Sequence, residues 1–271
     1  LLGGCYSTQN VSQDQVDALQ YMIDSGELAP WEKDASPVRA VCVGLNRVDP
    51  ARWGGWVGNL PDCELDATRT ANACNALGVP STVLKTAQAT KSNMIALIER
   101  EIDALAPTGL LILHTSGHGG QQPDFDGDEA DGKDEFLCLF DGPFLDDDIS
   151  LMLRKITKPI RILWICDTCN SGTMYRTTEA VDLSERVVPV EFPGQLIIIA
   201  GCNEGDSSQS TGNGGVCTRA ILEVGLGNGI SPLELFDRAA SIAAKSKQKM
   251  ICNEYGRVTD DFRYQPIIEP K

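Results

Sequence analysis

Apolar, strand-like runs that alternate with helical segments are what most constrain this chain. VRAVCVGLN (38–46), STVLKT (81–86), GLLILHTSG (109–117), RILWICDT (161–168) and GQLIIIAGC (194–202) are rich in Val, Ile and Leu. Between and after them lie segments with helical character: DCELDATRTANACNALG (62–78, ended by Gly78), KSNMIALIEREIDALA (91–106), GVCTRAILEVGLG (215–227) and SPLELFDRAASIAAKSK (231–247). Near-continuous apolar strands need cover on both faces, and helical crossovers between them supply it. The chain therefore reads as α/β, with a mostly parallel central sheet and helices on both faces. FRYQPII (262–268) reads as the last strand. Residues 1–37 are polar, with one amphipathic patch around Val16 to Ile23, and read as a lead segment packed on a single domain, 38–271.

Composition narrows the function classes. The 271 residues are 42% hydrophobic, enough for a full core, and carry 38 acidic against 23 basic side chains, a formal charge of −15. Such a chain should repel nucleic-acid phosphates and anionic membranes and attract cations or basic peptides. No apolar run approaches the roughly 18 residues of a membrane-spanning helix. Ten cysteines are too sparse for a disulfide scaffold. Several of them (Cys42, Cys166, Cys202) sit in strand-like runs as small hydrophobes, so a reducing, cytoplasmic setting is expected. Leu1-Leu2-Gly3-Gly4-Cys5 resembles the tail of a lipoprotein cleavage box.

In parallel sheets, sites form beyond the carboxyl ends of strands. Gly117-His118-Gly119 follows the third run and Asp167-Thr168-Cys169 the fourth. The chain has two histidines. His114 lies inside an apolar run and suits a hydrogen-bonded core role, whereas His118 stands between glycines that let a substrate approach the backbone. Cys169, followed by Ser171-Gly172, stands at the equivalent end of the next strand. A cysteine nucleophile needs a base for its proton and donors for the oxyanion, and this pair could supply nucleophile and base. Lone histidines and cysteines are mostly packing residues, so the residues by themselves leave catalysis and packing both open. Cys166-Asp167-Thr168-Cys169 is also a C-x-x-C, a redox or metal signature elsewhere. Cys166 should point into the sheet while Cys169 lies past its end, and no second C-x-x-C completes a zinc site.

Taken in order, several motifs resemble those of the metacaspases. These are Cys63-Glu64-Leu65-Asp66, Ser116-Gly117-His118-Gly119, the acids ending in Leu145-Asp146-Asp147-Asp148-Ile149, Asp167-Thr168-Cys169-Asn170-Ser171-Gly172, Ala200-Gly201-Cys202 and Gly214-Gly215-Val216-Cys217-Thr218. The resemblance implies a caspase–hemoglobinase-like fold and a calcium-responsive cysteine endopeptidase cutting after Arg or Lys. Its catalytic dyad would be His118 and Cys169, with backbone N–H groups of Gly119 and Cys169 for the oxyanion. Asp66, Ser116 and Asp167 would form the basic-residue pocket, with Cys63 on its wall. The domain would divide into a large-subunit-like part (38–175), a connecting segment (176–193) and a small-subunit-like part (194–271). Arg176 and Arg186 in the connection are candidate self-cleavage sites. Substrates would be peptides or proteins containing basic residues, and a monomer is expected. The reading from another class is a caspase-like interaction module without catalysis. Thr168 and Asn170 depart from the family's usual Cys-Cys-His-Ser-Gly.

Between Asp124 and Asp148 lie eleven acids and one base, Lys133. A charge run is usually a solvated loop, yet carboxylates this dense favour a hard cation such as calcium. Asp124, Asp126, Asp128 and Glu135 have EF-hand-like spacing, but Glu129 occupies the position that needs glycine. The resemblance implies calcium ligands at Asp134, Asp146 and Asp147, with Arg176 standing where the family has a further aspartate. Acids at 146–148 also suit a helix start, where they could serve as caps.

Overall fold

The computed structural model describes residues 36–123, 132–168, 192–201 and 212–269. Five strands run parallel: β1 (Ser36–Gly44), β2 (Ser81–Lys85), β3 (Leu105–Ser116), β7 (Arg161–Asp167) and β8 (Gln195–Ala200). They stand in the order β2-β1-β3-β7-β8, and β9 (Ile251–Gly256) closes the edge antiparallel to β8. A second, antiparallel sheet joins β4 (Gly119–Pro123), β5 (Lys133–Leu139) and β6 (Gly142–Leu145). Six α-helices are described: α1 (Cys63–Ala76), α2 (Lys91–Asp103), α3 (Asp146–Arg154), α4 (Val216–Val224), α5 (Pro232–Ala243) and α6 (Asp260–Tyr264).

Strand side chains alternate between faces, and the alternation sorts the core into two layers. Val41, Val43, Leu111, Leu113, Ile162, Trp164, Leu196 and Ile198 pack with Met94, Ile98, Ile149 and Met152 of α2 and α3. The intervening residues Ala40, Leu110, Ile112, Leu163, Ile165, Ile197 and Ile199 pack with Ala220 and Ile221 of α4 and Leu235 and Ala239 of α5. Cys42 joins Ala67 and Ala71 of α1 on that second face. Two-sided burial is why these strands read as continuous apolar runs.

The expected strand at 262–268 is not formed. Thr259 caps a short helix there, its Oγ1 accepting from the Phe262 N–H at 3.3 Å, and two acids fill the first turn. This local capping overrides the β-prone composition of FRYQPII. The closing strand is instead Ile251–Gly256, half-buried along its length. Its polar residues Asn253 and Glu254 concealed it, because an edge strand needs no continuous apolar run. The first strand begins at Ser36, two residues before the expected boundary. The patch around Val16, Cys169 and the connecting stretch 176–191 lie outside the described residues.

Candidate active site

The carboxyl ends of β1, β3 and β7 are level: Gly44 pairs with Ser116, and Ser116 with Asp167. Parity then decides direction. Ser116 shares a face with Ile112 and His114, and Asp167 with Leu163 and Ile165, the face that α1 and α4 cover. Asp66, one turn into α1, meets them there. Ser116 Oγ donates to Asp66 Oδ2 at 3.0 Å, and the Gly215 N–H donates to the same oxygen at 2.9 Å. Asp167 Oδ2 accepts from both the N–H and the Oγ1 of Thr218, each at 2.8 Å. The first turn of α4 thus aims amides at both carboxylates, the arrangement that a helix N-terminus favours for anions.

Two glycines make this approach possible. A Cβ at Gly214 would collide with Asp66 Oδ1, and one at Gly215 with Asp167 Oδ2. Asp66 is 1% exposed, and its Oδ1 has no hydrogen-bond partner. Burial pushes its carboxyl up to about 6, and Asp167 nearby pushes in the same direction against the Gly215 and Ser116 hydrogen bonds. Cys63 is also buried, and burial raises its thiol to about 12. Asp66 could have been an acid merely placed in the first turn of its own helix. Its bonds go instead to β3 and α4.

His118 follows β3 by two residues. Its imidazole packs against Trp56, with ring centroids 4.8 Å apart. Its Nε2 is buried and has no partner. Burial lowers the imidazole below its ordinary pKa, and the Gly58 backbone partly offsets that. A neutral imidazole whose Nε2 is unpartnered can offer that nitrogen's lone pair as a base. Gly119 opens β4, paired with Leu137. Trp56 and Gly58 were not singled out from sequence. An aromatic within the glycine-rich loop RWGGWVGN was the available signal.

His114 is the hydrogen-bonded core residue expected: fully buried, with Nε2 3.0 Å from Thr218 Oγ1. Cys166 also lies in the core, accepting from Thr115 Oγ1 at 3.2 Å. It belongs to the face opposite Asp66 and Asp167, as the C-x-x-C argument required of it.

Asp134 and Asp146 are both buried and lie at one end of the β5–β6 hairpin, whose final pair is Phe136 with Leu145. Asp148 does the capping, its Oδ2 accepting from the Leu145 N–H at 3.1 Å and pairing with Lys91 at 2.5 Å. Asp147 is exposed. Asp134 Oδ2 accepts from Gln122 at 3.0 Å, and Asp146 Oδ1 from the Asp147 N–H at 3.1 Å. Among the described residues no three His, Cys, Asp or Glu side chains converge to hold a metal ion.

Fold and site together define an α/β protein with two buried carboxylates, Asp66 and Asp167, at the carboxyl edge of its sheet, and a half-buried imidazole two residues past the end of β3. The family described as "Metacaspase, peptidase C14 domain" matches residues 39–178, just over half of the chain, and the chain belongs to it. Metacaspase-1 of Saccharomyces cerevisiae is 38% identical over 90 residues, 31% of this chain and 21% of that protein. Metacaspase-1 of Cryptococcus neoformans is 40% identical over 89 residues, covering 31% and 20%. The aligned stretches therefore span about a fifth of these relatives' own length. A solved Geobacter sulfurreducens protein is similar in fold at a TM-score of 0.68 and 29% identity, covering 84% of this chain and 97% of that one. No helix among the described residues is long and apolar enough to cross a membrane.

Proposed function

We propose that the chain is a cysteine endopeptidase that cleaves after Arg or Lys, with Cys169 as nucleophile and His118 as base. The observation that carries this reading is the unpartnered, buried Asp66 Oδ1, beside a second carboxylate and bonded through its other oxygen to Ser116, two residues before a histidine with an unpartnered Nε2. Leaving a carboxylate oxygen buried and unpaired is costly, and an arriving guanidinium or ammonium removes the cost.

In this reading His118 Nε2 takes the Cys169 proton and the thiolate attacks the scissile carbonyl carbon. Backbone N–H groups of Gly119 and Cys169 stabilise the oxyanion. The imidazolium returns the proton to the leaving amine, forming a thioester, and water then attacks with His118 again as base, releasing the acid and the thiol. Neutral His118 suits the first step.

Calcium responsiveness through Asp134, Asp146 and Asp147 belongs to the same proposal. Its support is the family resemblance and two buried carboxylates at one hairpin end. Since no trio converges among the described residues, no catalytic step is routed through the ion.

The test is hydrolysis of peptides ending in Arg, Lys or Asp, with and without calcium, by wild type and by Cys169→Ala. Cleavage after Arg and Lys that vanishes in the variant is expected. Preference for Asp, or activity in Cys169→Ala, sinks the reading. An arginyl reagent that fails to label Cys169 would favour an interaction module instead.

A further inference from the structure

His114 and Thr218 are both wholly buried, and the proposed mechanism uses neither. The Thr218 hydroxyl has one proton, and it goes to Asp167 Oδ2 at 2.8 Å. The Thr218 oxygen must then accept from His114, 3.0 Å away, so His114 carries its proton on Nε2. His114 Nδ1 is left as a bare acceptor, and it indeed has no partner. Burial holds the ring neutral, down to about 3.

A buried imidazole with one unpaired nitrogen is a poor packing residue, since an aliphatic side chain would fill the space without the desolvation cost. The ring is tolerable only for what its other nitrogen does. That nitrogen polarises a hydroxyl whose proton rests on Asp167, and bonds in such a chain strengthen one another. Asp167 needs the help, because Asp66 and Asp167 stand close enough for each to oppose the other's charge.

We infer that His114 and Thr218 are positioning residues of the basic-side-chain pocket, a His–Thr–Asp relay that aims Asp167 beside Asp66. This rests on the reading of Asp66 and Asp167 as that pocket, but not on catalysis.

Benzamidine, a small amidinium, tests it by binding alone. Thr218→Val removes the hydroxyl at nearly constant shape, and His114→Leu removes the donor. Each should weaken benzamidine roughly tenfold or more, the worth of a hydrogen bond to a charged group. Thr218→Ser keeps the hydroxyl and His114→Gln offers an N–H near the Nε2 position, so both should recover most of the affinity, which a merely structural role would not predict. With Arg peptides the same two losses should raise KM and leave kcat little changed. If Thr218→Val and His114→Leu bind benzamidine within twofold of wild type, the relay is wrong. A wild type that ignores benzamidine overturns the pocket and the relay together. The expected binding pattern without any peptide cleavage upholds the relay and sinks only the peptidase reading.

Discussion

At the scale of single residues, Asp66 sets stability against function. Its carboxyl is raised to about 6, so the folded state holds the proton more tightly than the unfolded chain. The stability this contributes is full below about pH 4 and is lost as pH rises through about 6. Asp66→Asn should therefore stabilise the protein by about 1–3 kcal/mol at pH 7.5 and by little at pH 4, while removing the preference for basic peptides. Urea midpoints of both proteins across that range decide it, and parallel curves would refute the assignment. His118 and His114 differ in a way that nuclear magnetic resonance reads directly, because the chain has no other histidine. One imidazole should titrate below 6.5, and the other should stay neutral to about 3 or to acid unfolding. Trp56→Ala, which uncovers His118, should move the first titration upward. Two imidazoles titrating together near 6.5 would contradict the burial of His114.

At the scale of elements, α4 contributes as much to the proposed pocket as the sheet does. Its N-terminal amides reach both carboxylates only because Gly214 and Gly215 carry no side chain. Gly215→Ala pushes a methyl into Asp167 and should cost about 1–3 kcal/mol of stability. It should also raise KM for Arg peptides at least tenfold. Thermal unfolding and steady-state kinetics measure the two effects, and an unchanged KM would mean that α4 does not shape the pocket. The Gly214-Gly215 pair was visible in the sequence as part of a motif. Its steric reason was not, because that reason lies on α1 and β7.

At the scale of the whole molecule, the proposals reach residues beyond the site. Activity titrated with calcium should fall in Asp146→Ala/Asp147→Ala and should be low for wild type in excess chelator. Full wild-type activity in chelator would reduce the acidic cluster to the cap that Asp148 already makes and a solvated surface. If Arg176 or Arg186 is a self-cleavage site, purified wild type should show cut masses that Cys169→Ala lacks. Identical intact masses would count against processing there.

The sequence by itself determined the five parallel strands of the central sheet, because a strand buried on both faces must be apolar throughout, and that is a local, readable property. It also determined the strand ends at which His118 and Asp167 stand, since glycines and polar residues mark where apolar runs stop. Edge elements were harder: half-burial left Ile251–Gly256 without a strong pattern, and a threonine cap turned Asp260–Tyr264 from strand to helix. Only the tertiary structure decided which atoms of the site are satisfied and which are left free. Asp66, Ser116, Asp167 and Thr218 come from four elements, and His114 became part of their network through a hydroxyl 104 residues away. Hydrogen bonding depends on register and side-chain parity across the sheet, and the linear order of residues does not encode those distances one at a time.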